Sequence, residues 1–476
     1  MSGKKIKLIM PVYNTEQYLE EALESIVAQS IGFTRNIELY LIDDASADKS
    51  LDICRKFQKR FPENINVTHF EENKGVSAAR NYGIELVKEE NDVIVGFVDS
   101  DDKLAPDFVK QVASYFAEHE DINFATTRIW YFDAIEKEHR LNWRFENKDV
   151  VDIKKDYTFP HYYIGGAFVR RSALEHLHFD EGMSFWEDAL AVNQVILQEG
   201  KYGLIRGAIY YYRKRPDESS LVNQAWKNEE RYTTFLEQGY MRLMDYCKKK
   251  KHRVIPYIQF VVAYHVRGFM KKSKKDIVGE VLETDEDLAD FRDRLQVVLK
   301  RISEKVIIQV PTTLPIMESM LSIRKGRQVR AKRVYKDGDC LFVYKGKIFA
   351  RMSERKVRLY YIMDTPGYEG MWRGRFLSPV YAMKRDDYIF AEHDGQRVES
   401  QEYRCRRQLF ILGKRYRCWF HAGFVINIPK EWKSARFGIY IAEFGKDVLM
   451  NEIVFDEVEQ VFLGKASEPT YDQELD

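Results

Sequence analysis

The stretch Asp92-Val93-Ile94-Val95-Gly96-Phe97-Val98-Asp99-Ser100-Asp101-Asp102 decides how this chain is read. Residues 93–98 are apolar and rich in β-branched side chains, which predicts a short buried strand. Three carboxylates in four residues follow it. They repel one another and resist burial. The C-terminal end of a buried strand is also where open α/β sheets bind ligands. A divalent cation carrying its own oxygen-rich ligand relieves the repulsion, and Mg²⁺ and Mn²⁺ favour carboxylate and phosphate oxygens. Taken alone, Asp-x-Asp-Asp reads equally as a solvated acidic turn ahead of a helix near Pro106.

The preceding residues set the context. Lys5 to Met10 reads as a strand, ended by Pro11-Val12-Tyr13-Asn14-Thr15. Glu16 to Gln29 has helical spacing, with Leu19, Ala22, Leu23 and Ile26 on one face. Ile37 to Ile42 is a second strand, running into Asp43-Asp44-Ala45-Ser46-Ala47-Asp48 and a helix through Leu51, Ile53, Cys54 and Phe57. Ile65 to Phe70 is a third strand. Asn73-Lys74-Gly75 then leads into a helix that carries Arg80-Asn81-Tyr82-Gly83 and ends near Val87. Strands alternate with helices, and polar motifs recur at strand C-termini. That pattern predicts a doubly wound parallel sheet with its site along one edge.

The bulk numbers narrow the function. The chain has 476 residues, 45% hydrophobic and 31% charged, with a net charge of +1. Its length allows two or three domains. Its charge gives no electrostatic case for nucleic acid. The five cysteines (Cys54, Cys247, Cys340, Cys405, Cys418) are odd in number and form no CxxC pair. They predict reduced thiols rather than a disulfide framework or a zinc site. Met-Ser-Gly-Lys-Lys leads into a strand rather than an apolar leader, and no apolar run approaches a membrane span. The expectation is a cytoplasmic protein, working at most on the inner face of the membrane.

Three further regions follow the first. Residues 1–225 form the α/β domain. Residues 226–329 are helical and basic, with apolar residues at helical spacing and an amphipathic helix from Asp285 to Leu299. From 330 to 464 the period switches to two, with hairpin turns at Asp337-Gly338, Asp394-Gly395, Gly413-Lys414 and Gly445-Lys446. That reads as a β-sandwich. Residues 465–476 form a polar tail. The run Lys248 to Lys251, with Arg253, Lys271, Lys272, Lys274 and Lys275, is a solvated face or a surface for an anionic membrane or polymer.

Five motifs in order now carry a resemblance: Pro11-Val12-Tyr13-Asn14, Asp43-Asp44-x-Ser46-x-Asp48, Asn73-x-Gly75 to Arg80-Asn81-x-Gly83, Asp99-Ser100-Asp101-Asp102 and Trp186-Glu187-Asp188. Together they resemble the family 2 glycosyltransferases of GT-A fold, over the chain up to about residue 230. Tyr210 to Leu221 looks most like the glycosyltransferase-like domains of bacterial teichoic-acid and capsule assembly proteins. The implied fold class is α/β: an N-terminal GT-A (Rossmann-like) domain, a helical middle and a C-terminal β-sandwich-like domain. The implied activity is inverting transfer of a hexose or N-acetylhexosamine, from a nucleotide sugar that is UDP-linked, to a hydroxyl of a surface-polymer precursor. Alternatives are transfer of a polyol phosphate in teichoic-acid assembly, or a scaffold or glycan-binding protein with a degenerate transferase domain.

The resemblance also implies roles. Pro11, Tyr13, Asp44, Asn73, Arg80 and Asp99 would bind nucleotide, with Tyr13 stacking on the base and Asp44 accepting the uracil N3–H. Capping of the next helix is the other reading of Asp44, and a surface arginine that of Arg80. Asp101 would hold Mn²⁺ or Mg²⁺, with Asp99 on the ribose or a cation-bound water. Asp188 would be the general base. Gly166, Trp186 and Glu187 would contact sugar or acceptor, although Gly165-Gly166 also reads as a turn and Trp186 as core. Arg213, Arg215 and Ser219 would meet the diphosphate, arginine being suited to phosphate by its planar fork. The histidine common in this loop is absent. The partners implied are a nucleotide sugar and a glycan or polyol-phosphate acceptor. The β-rich region would serve oligomerisation rather than glycan stacking on Trp372 or Trp419, since isolated sandwiches have edge strands open to pairing.

Overall fold

The computed structural model describes residues 6–90, 93–215, 225–273, 278–361, 371–403 and 407–455. They form two compact units, Met1–Val262 and Ala263–Asp476. The helical stretch read over 226–329 is thus divided between them.

The first unit opens with β1 (Ile6–Val12), α1 (Glu16–Val27), α2 (Phe33–Asn36), β2 (Ile37–Asp43), α3 (Ser50–Arg60), β3 (Ile65–His69), α4 (Val76–Val87) and β4 (Ile94–Phe97). Alternation along β1 explains why helices cover both of its faces. Ile6, Leu8, Met10 and Val12 join a core with Leu19, Ala22, Leu23 and Ile26 of α1. Ile9 points the other way, against α4. There a Cβ added at Gly83 would lie 2.5 Å from the Ile9 side chain, so the small residue lets helix and strand close together. β3, β2, β1 and β4 lie side by side and parallel.

The chain continues with β5 (Lys103–Leu104), α5 (Phe108–Glu118), β6 (Phe124–Asp133), β7 (Lys137–Glu138), β8 (Val150–Asp152), β9 (Ala167–Arg170), α6 (Arg171–Leu174), α7 (Glu187–Glu199) and β10 (Lys201–Lys214). The full sheet order is β3-β2-β1-β4-β9-β6-β10-β5, with β7 on β6 and β8 on β10. Beyond β4 the sheet departs from a wholly parallel one. β9 runs antiparallel between β4 and β6, with Gly96 opposite Phe168. This reversal brings the residues just before β9 to the C-terminal end of β4, beside Asp99. β10 runs parallel to β6 and pairs with β5 through Tyr210–Leu104 and Tyr211–Lys103, which carries Arg213 and Arg215 to the same edge.

The second unit joins helices to antiparallel sheets. Helix Asp285–Lys300 starts at a capping box, Thr284 accepting from the Asp287 N–H and Asp287 from the Thr284 N–H. Helix Leu314–Lys325 carries buried Glu318, whose carboxylate accepts from the Ala331 N–H (2.6 Å), Arg330 (3.0 Å) and the Tyr416 hydroxyl. Among the described residues the strands form a three-stranded, two four-stranded and one two-stranded sheet. Asp337-Gly338 and Asp394-Gly395 turn with positive φ at both positions, as tight hairpins demand. At the ribbon of Arg407–Ile411 and Lys414–Trp419 the turn residues are Leu412-Gly413, one position earlier than read. Trp419 is 1% exposed, and its indole N–H donates to the Ser378 carbonyl, so it serves the core. Cys54, Cys247, Cys340 and Cys418 are free thiols, and Cys405 lies outside the described residues. No helix among the described residues is long and apolar enough to cross a membrane.

Candidate active site

Two loops at the ends of β1 and β2 are laced together. The Asn14 N–H donates to Ser46 Oγ (3.1 Å), the Ala47 N–H to Asn14 Oδ1 (2.8 Å) and the Thr15 N–H to Ser50 Oγ (2.9 Å). Asn14 and Ala45 both take left-handed φ to make these turns. Pro11 is half-buried within β1 and Tyr13 is exposed beyond it. The buried Asp44 carboxylate accepts the Lys74 N–H (2.7 Å) and the Gly75 N–H (2.8 Å), while Asn73 Nδ2 donates to the Asp44 carbonyl (3.2 Å). Gly75 has φ +89° with open space around it, so the backbone conformation rather than crowding requires glycine there. Asp43 is fully buried and pairs with His69 Nδ1 at 2.7 Å.

The next layer is built around Arg80. It is 4% exposed, which removes the surface reading. Its Nη1 donates to Asp188 Oδ1 (2.7 Å) and Glu187 Oε1 (3.3 Å), and its Nη2 to Asp99 Oδ1 (3.0 Å). The guanidinium also faces the Phe179 ring at 5.4 Å. Burial opposes the cation, but Asp188, Asp99 and Glu187 outweigh it and keep Arg80 charged. Asp188 sits at the start of α7, where Oδ2 also accepts the Ile164 N–H (3.3 Å). Burial pushes its carboxyl up to about 8, against the pull of Arg80 and with help from Glu187 and Asp99. That places it in the range where a carboxylate works as a base near neutral pH.

Asp99, Asp101 and Asp102 follow β4. The Asp99 N–H donates to the Tyr210 hydroxyl (3.0 Å). Asp102 is buried, and its Oδ1 accepts the Arg213 N–H (2.8 Å). Asp101 Oδ2 accepts from Nε (3.1 Å) and Nη2 (2.5 Å) of Arg215. Burial raises the Asp101 carboxyl despite Arg215, and burial with Asp101 and Asp99 raises Asp102.

The donor set suits a hard divalent cation. Three crowded carboxylates meet there, two of them raised by burial, a charge deficit that a cation relieves. Among the described residues no group of three His, Cys, Asp or Glu is placed to hold a metal by itself.

The two arginines differ. The Arg213 guanidinium is committed to Glu21, to Asp133 Oδ2 (3.0 Å) and to the Asp101 carbonyl (2.8 Å), between the Tyr18 and Phe132 rings. Arg215 turns to Asp101. Residues 216–224, with Ser219, lie outside the described residues.

On the other flank, Gly165 and Gly166 run past Asp99 and Tyr210. A Cβ at Gly165 would lie 3.2 Å from Asp99 Oδ2, and one at Gly166 2.5 Å from Thr127 Oγ1. Trp186, itself half-buried, takes a left-handed φ and packs edge-on to the buried Phe235 (5.6 Å) and Tyr240 (5.2 Å). Glu187 faces Arg80. A groove of about 1230 Å³ lies elsewhere: it is lined by Tyr82, Glu85 and Lys88 of α4 and by Arg171 and His178, and holds none of Asp99, Asp101 or Asp188.

This arrangement gathers the strand-end carboxylates, a candidate base and an arginine into one edge. The glycosyl transferase family 2 model matches residues 7–178. GgaA of Bacillus subtilis (strain 168), a minor teichoic acid biosynthesis protein, is 35% identical over 427 residues, 89% of this chain and 91% of GgaA. The chain belongs to glycosyl transferase family 2. Among solved structures, S. aureus TarS aligns with 94% of this family 2 chain and 77% of its own, at TM-score 0.55 and 16% identity. TarS 1–349 in complex with UDP-GlcNAc covers 73% of this transferase and 99% of its own chain, at TM-score 0.52 and 18% identity. At such identities the likeness is one of fold, and it agrees with the mixed α/β first unit and the antiparallel sheets of the second.

Four residues of this transferase escaped the sequence reading. Tyr18 lies under both arginines, with Arg213 at 4.7 Å and Arg215 at 5.1 Å. Glu21 anchors Arg213. Tyr210 receives the Asp99 N–H. Asn81 ties α4 to the chain ahead of Trp186, donating to the Phe179 carbonyl (2.8 Å) and accepting its N–H (2.9 Å). Tyr18 and Glu21 flank the buried helical positions of α1, so their exposed side was the available signal. Asn81 stood inside a quoted motif. Nothing in sequence set Tyr210 apart from its tyrosine neighbours.

Proposed function

We propose that this family 2 enzyme transfers a hexose or N-acetylhexosamine from a UDP-sugar to a hydroxyl of a teichoic-acid-type polymer, with inversion. The observation that carries the reading is the Arg80 bridge, which joins Asp99 of the strand-end cluster to Asp188 at 3.0 and 2.7 Å. One guanidinium thereby sets the donor-side carboxylates and the candidate base at a common centre, as alignment of two reactants demands. The description of GgaA supports the acceptor class, and the TarS complex supports a UDP-sugar donor.

In this reading Asp44, Asn73, Tyr13 and Pro11 receive the nucleotide, the loop at Gly75 letting the backbone approach it. Asp101, with Asp99 beside it, would hold a Mn²⁺ or Mg²⁺ ion, which would supply charge neutralisation for a leaving diphosphate. Arg215 is the diphosphate contact. Arg213 fixes the β10 end and the Asp101 turn that present it. Asp188 takes the proton from the attacking hydroxyl, and its raised affinity for protons suits that work. With one base and no nucleophile assigned on the opposite face, the attack is a single displacement. Gly166 and Glu187 border the sugar and acceptor side, and Trp186 shapes it from within its aromatic cluster. The enzyme would act on cytoplasmic nucleotide sugar at the membrane's inner face.

The test is a screen of UDP-, GDP- and CDP-linked donors with Mn²⁺ or Mg²⁺, using polyol-phosphate oligomers as acceptors. Transfer from a UDP-sugar, with inverted anomeric configuration by NMR, is expected. Polyol-phosphate transfer, or binding of glycan without turnover of any donor, would overturn the reading.

A further inference from the structure

We propose that Arg215 is a resident counter-cation of Asp101, which a divalent cation has to displace, so that cation and diphosphate bind cooperatively. The inference rests on the reading that Asp101 holds the cation. Both Nε and Nη2 of Arg215 converge on one atom, Asp101 Oδ2, at 3.1 and 2.5 Å. The fork takes both lone pairs of Oδ2 and neutralises the carboxylate, so a divalent ion arriving at Asp101 meets the guanidinium's repulsion and a charge already compensated.

The neighbouring arginine shows what a fixed one looks like. Arg213 engages two carboxylates and a carbonyl and is 8% exposed. Among the described residues, the ion pair of Arg215 is with Asp101 alone, its side chain is 22% exposed, and its other support is the face of Tyr18. Arg215 is therefore the arginine able to change partner. A diphosphate offers the planar guanidinium fork two oxygens at once and offers the cation phosphate oxygens. A cation arriving alone must break the Arg215 pair without replacing it. A cation arriving with diphosphate exchanges that pair for a better one.

The consequence is a positive coupling, in the ~5–150-fold range usual for linked sites, and linkage requires it to act equally on both ligands. Arg215 is thus a positioning residue in the free enzyme as well as a diphosphate contact in the loaded one.

The experiment measures Mn²⁺ affinity of the full chain by EPR of free Mn²⁺, with and without UDP, for wild type, Arg215→Gln, Arg215→Lys and Asp101→Asn. Circular dichroism checks each fold. Arg215→Gln is expected to bind Mn²⁺ alone about tenfold more tightly and to lose most of the enhancement by UDP. Arg215→Lys, which keeps the charge without the fork, should fall between. Unchanged or weaker Mn²⁺ binding in both arginine variants overturns the inference. If Asp101→Asn keeps wild-type Mn²⁺ affinity, the placement of the cation at Asp101 fails, and the inference with it. If Asp101→Asn loses Mn²⁺ while Arg215→Gln gains nothing, only the counter-cation role is lost.

Discussion

Arg80 Nη1 lies 2.7 Å from Asp188 Oδ1, across 108 residues of chain, and the same guanidinium holds Asp99 at 3.0 Å. Arg80 lies in the second turn of α4 and Asp188 in the first turn of α7. This bridge means that perturbing the donor side is felt at the base, and the reverse.

Asp188→Asn should lower turnover by roughly 10²–10⁴-fold, the range for a positioned general base. UDP affinity should change little, because the base acts on the acceptor. Steady-state kinetics with UDP titration by calorimetry checks this. Large loss of UDP binding with modest loss of turnover would make Asp188 a nucleotide contact.

The rate should depend on pH through the same carboxyl. Only the deprotonated form accepts a proton, so kcat/KM for acceptor at saturating donor should rise with pH and level off above about 8. Arg80 favours the charged form of Asp188. Removing it in Arg80→Gln should therefore move the rising limb to higher pH. A limb that stays put or moves down would show that Arg80 does not tune the base.

Asp101→Ala should abolish Mn²⁺-dependent UDP binding and leave the circular dichroism spectrum unchanged. Asp99→Ala should weaken nucleotide binding as well as loosen Arg80. Near-wild-type transfer by Asp101→Ala in the presence of metal would remove the cation from that residue.

Gly166→Ala should destabilise the first unit by about 1–3 kcal/mol, since a side chain at φ +72° is strained and its Cβ would sit 2.5 Å from Thr127 Oγ1. A thermal melt reads this out. The melt of an equally buried Ala173→Gly variant serves as comparison, with a loss near 1 kcal/mol from backbone entropy.

Ending the chain after Lys325 should preserve UDP and Mn²⁺ binding, because every assigned residue lies in the first unit. The remaining helix Leu314–Lys325 would lose Arg330, the Ala331 N–H and Tyr416 from around buried Glu318, so protease sensitivity between 263 and 325 should rise. Light scattering tests the proposed oligomerisation through the C-terminal region: full-length particles should contain more than one protomer and truncated ones a single protomer.

The sequence by itself determined the strand–helix alternation up to β4, the carboxylates at its end, and the period-two region with its Asp-Gly hairpins. These are local signals: side-chain periodicity, β-branching and turn chemistry act within a few residues. It also marked Asp99, Asp101, Arg80 and Asp188, each within a recognisable motif. Only the tertiary structure decided how they meet. The antiparallel insertion of β9 carries Gly165-Gly166 to Asp99, and the pairing of β10 with β5 carries Arg213 and Arg215 to Asp101. It distinguished those two arginines, Arg213 held by Glu21, Asp133 and the Asp101 carbonyl and Arg215 paired with the Asp101 carboxylate. It placed Trp419 in the core, set Trp186 against Phe235 and Tyr240, and drew in Tyr18 and Glu21 from the outer side of α1. Such assignments depend on contacts between residues 100 and more positions apart, such as Asp101 with Arg215, whose energies no local pattern encodes.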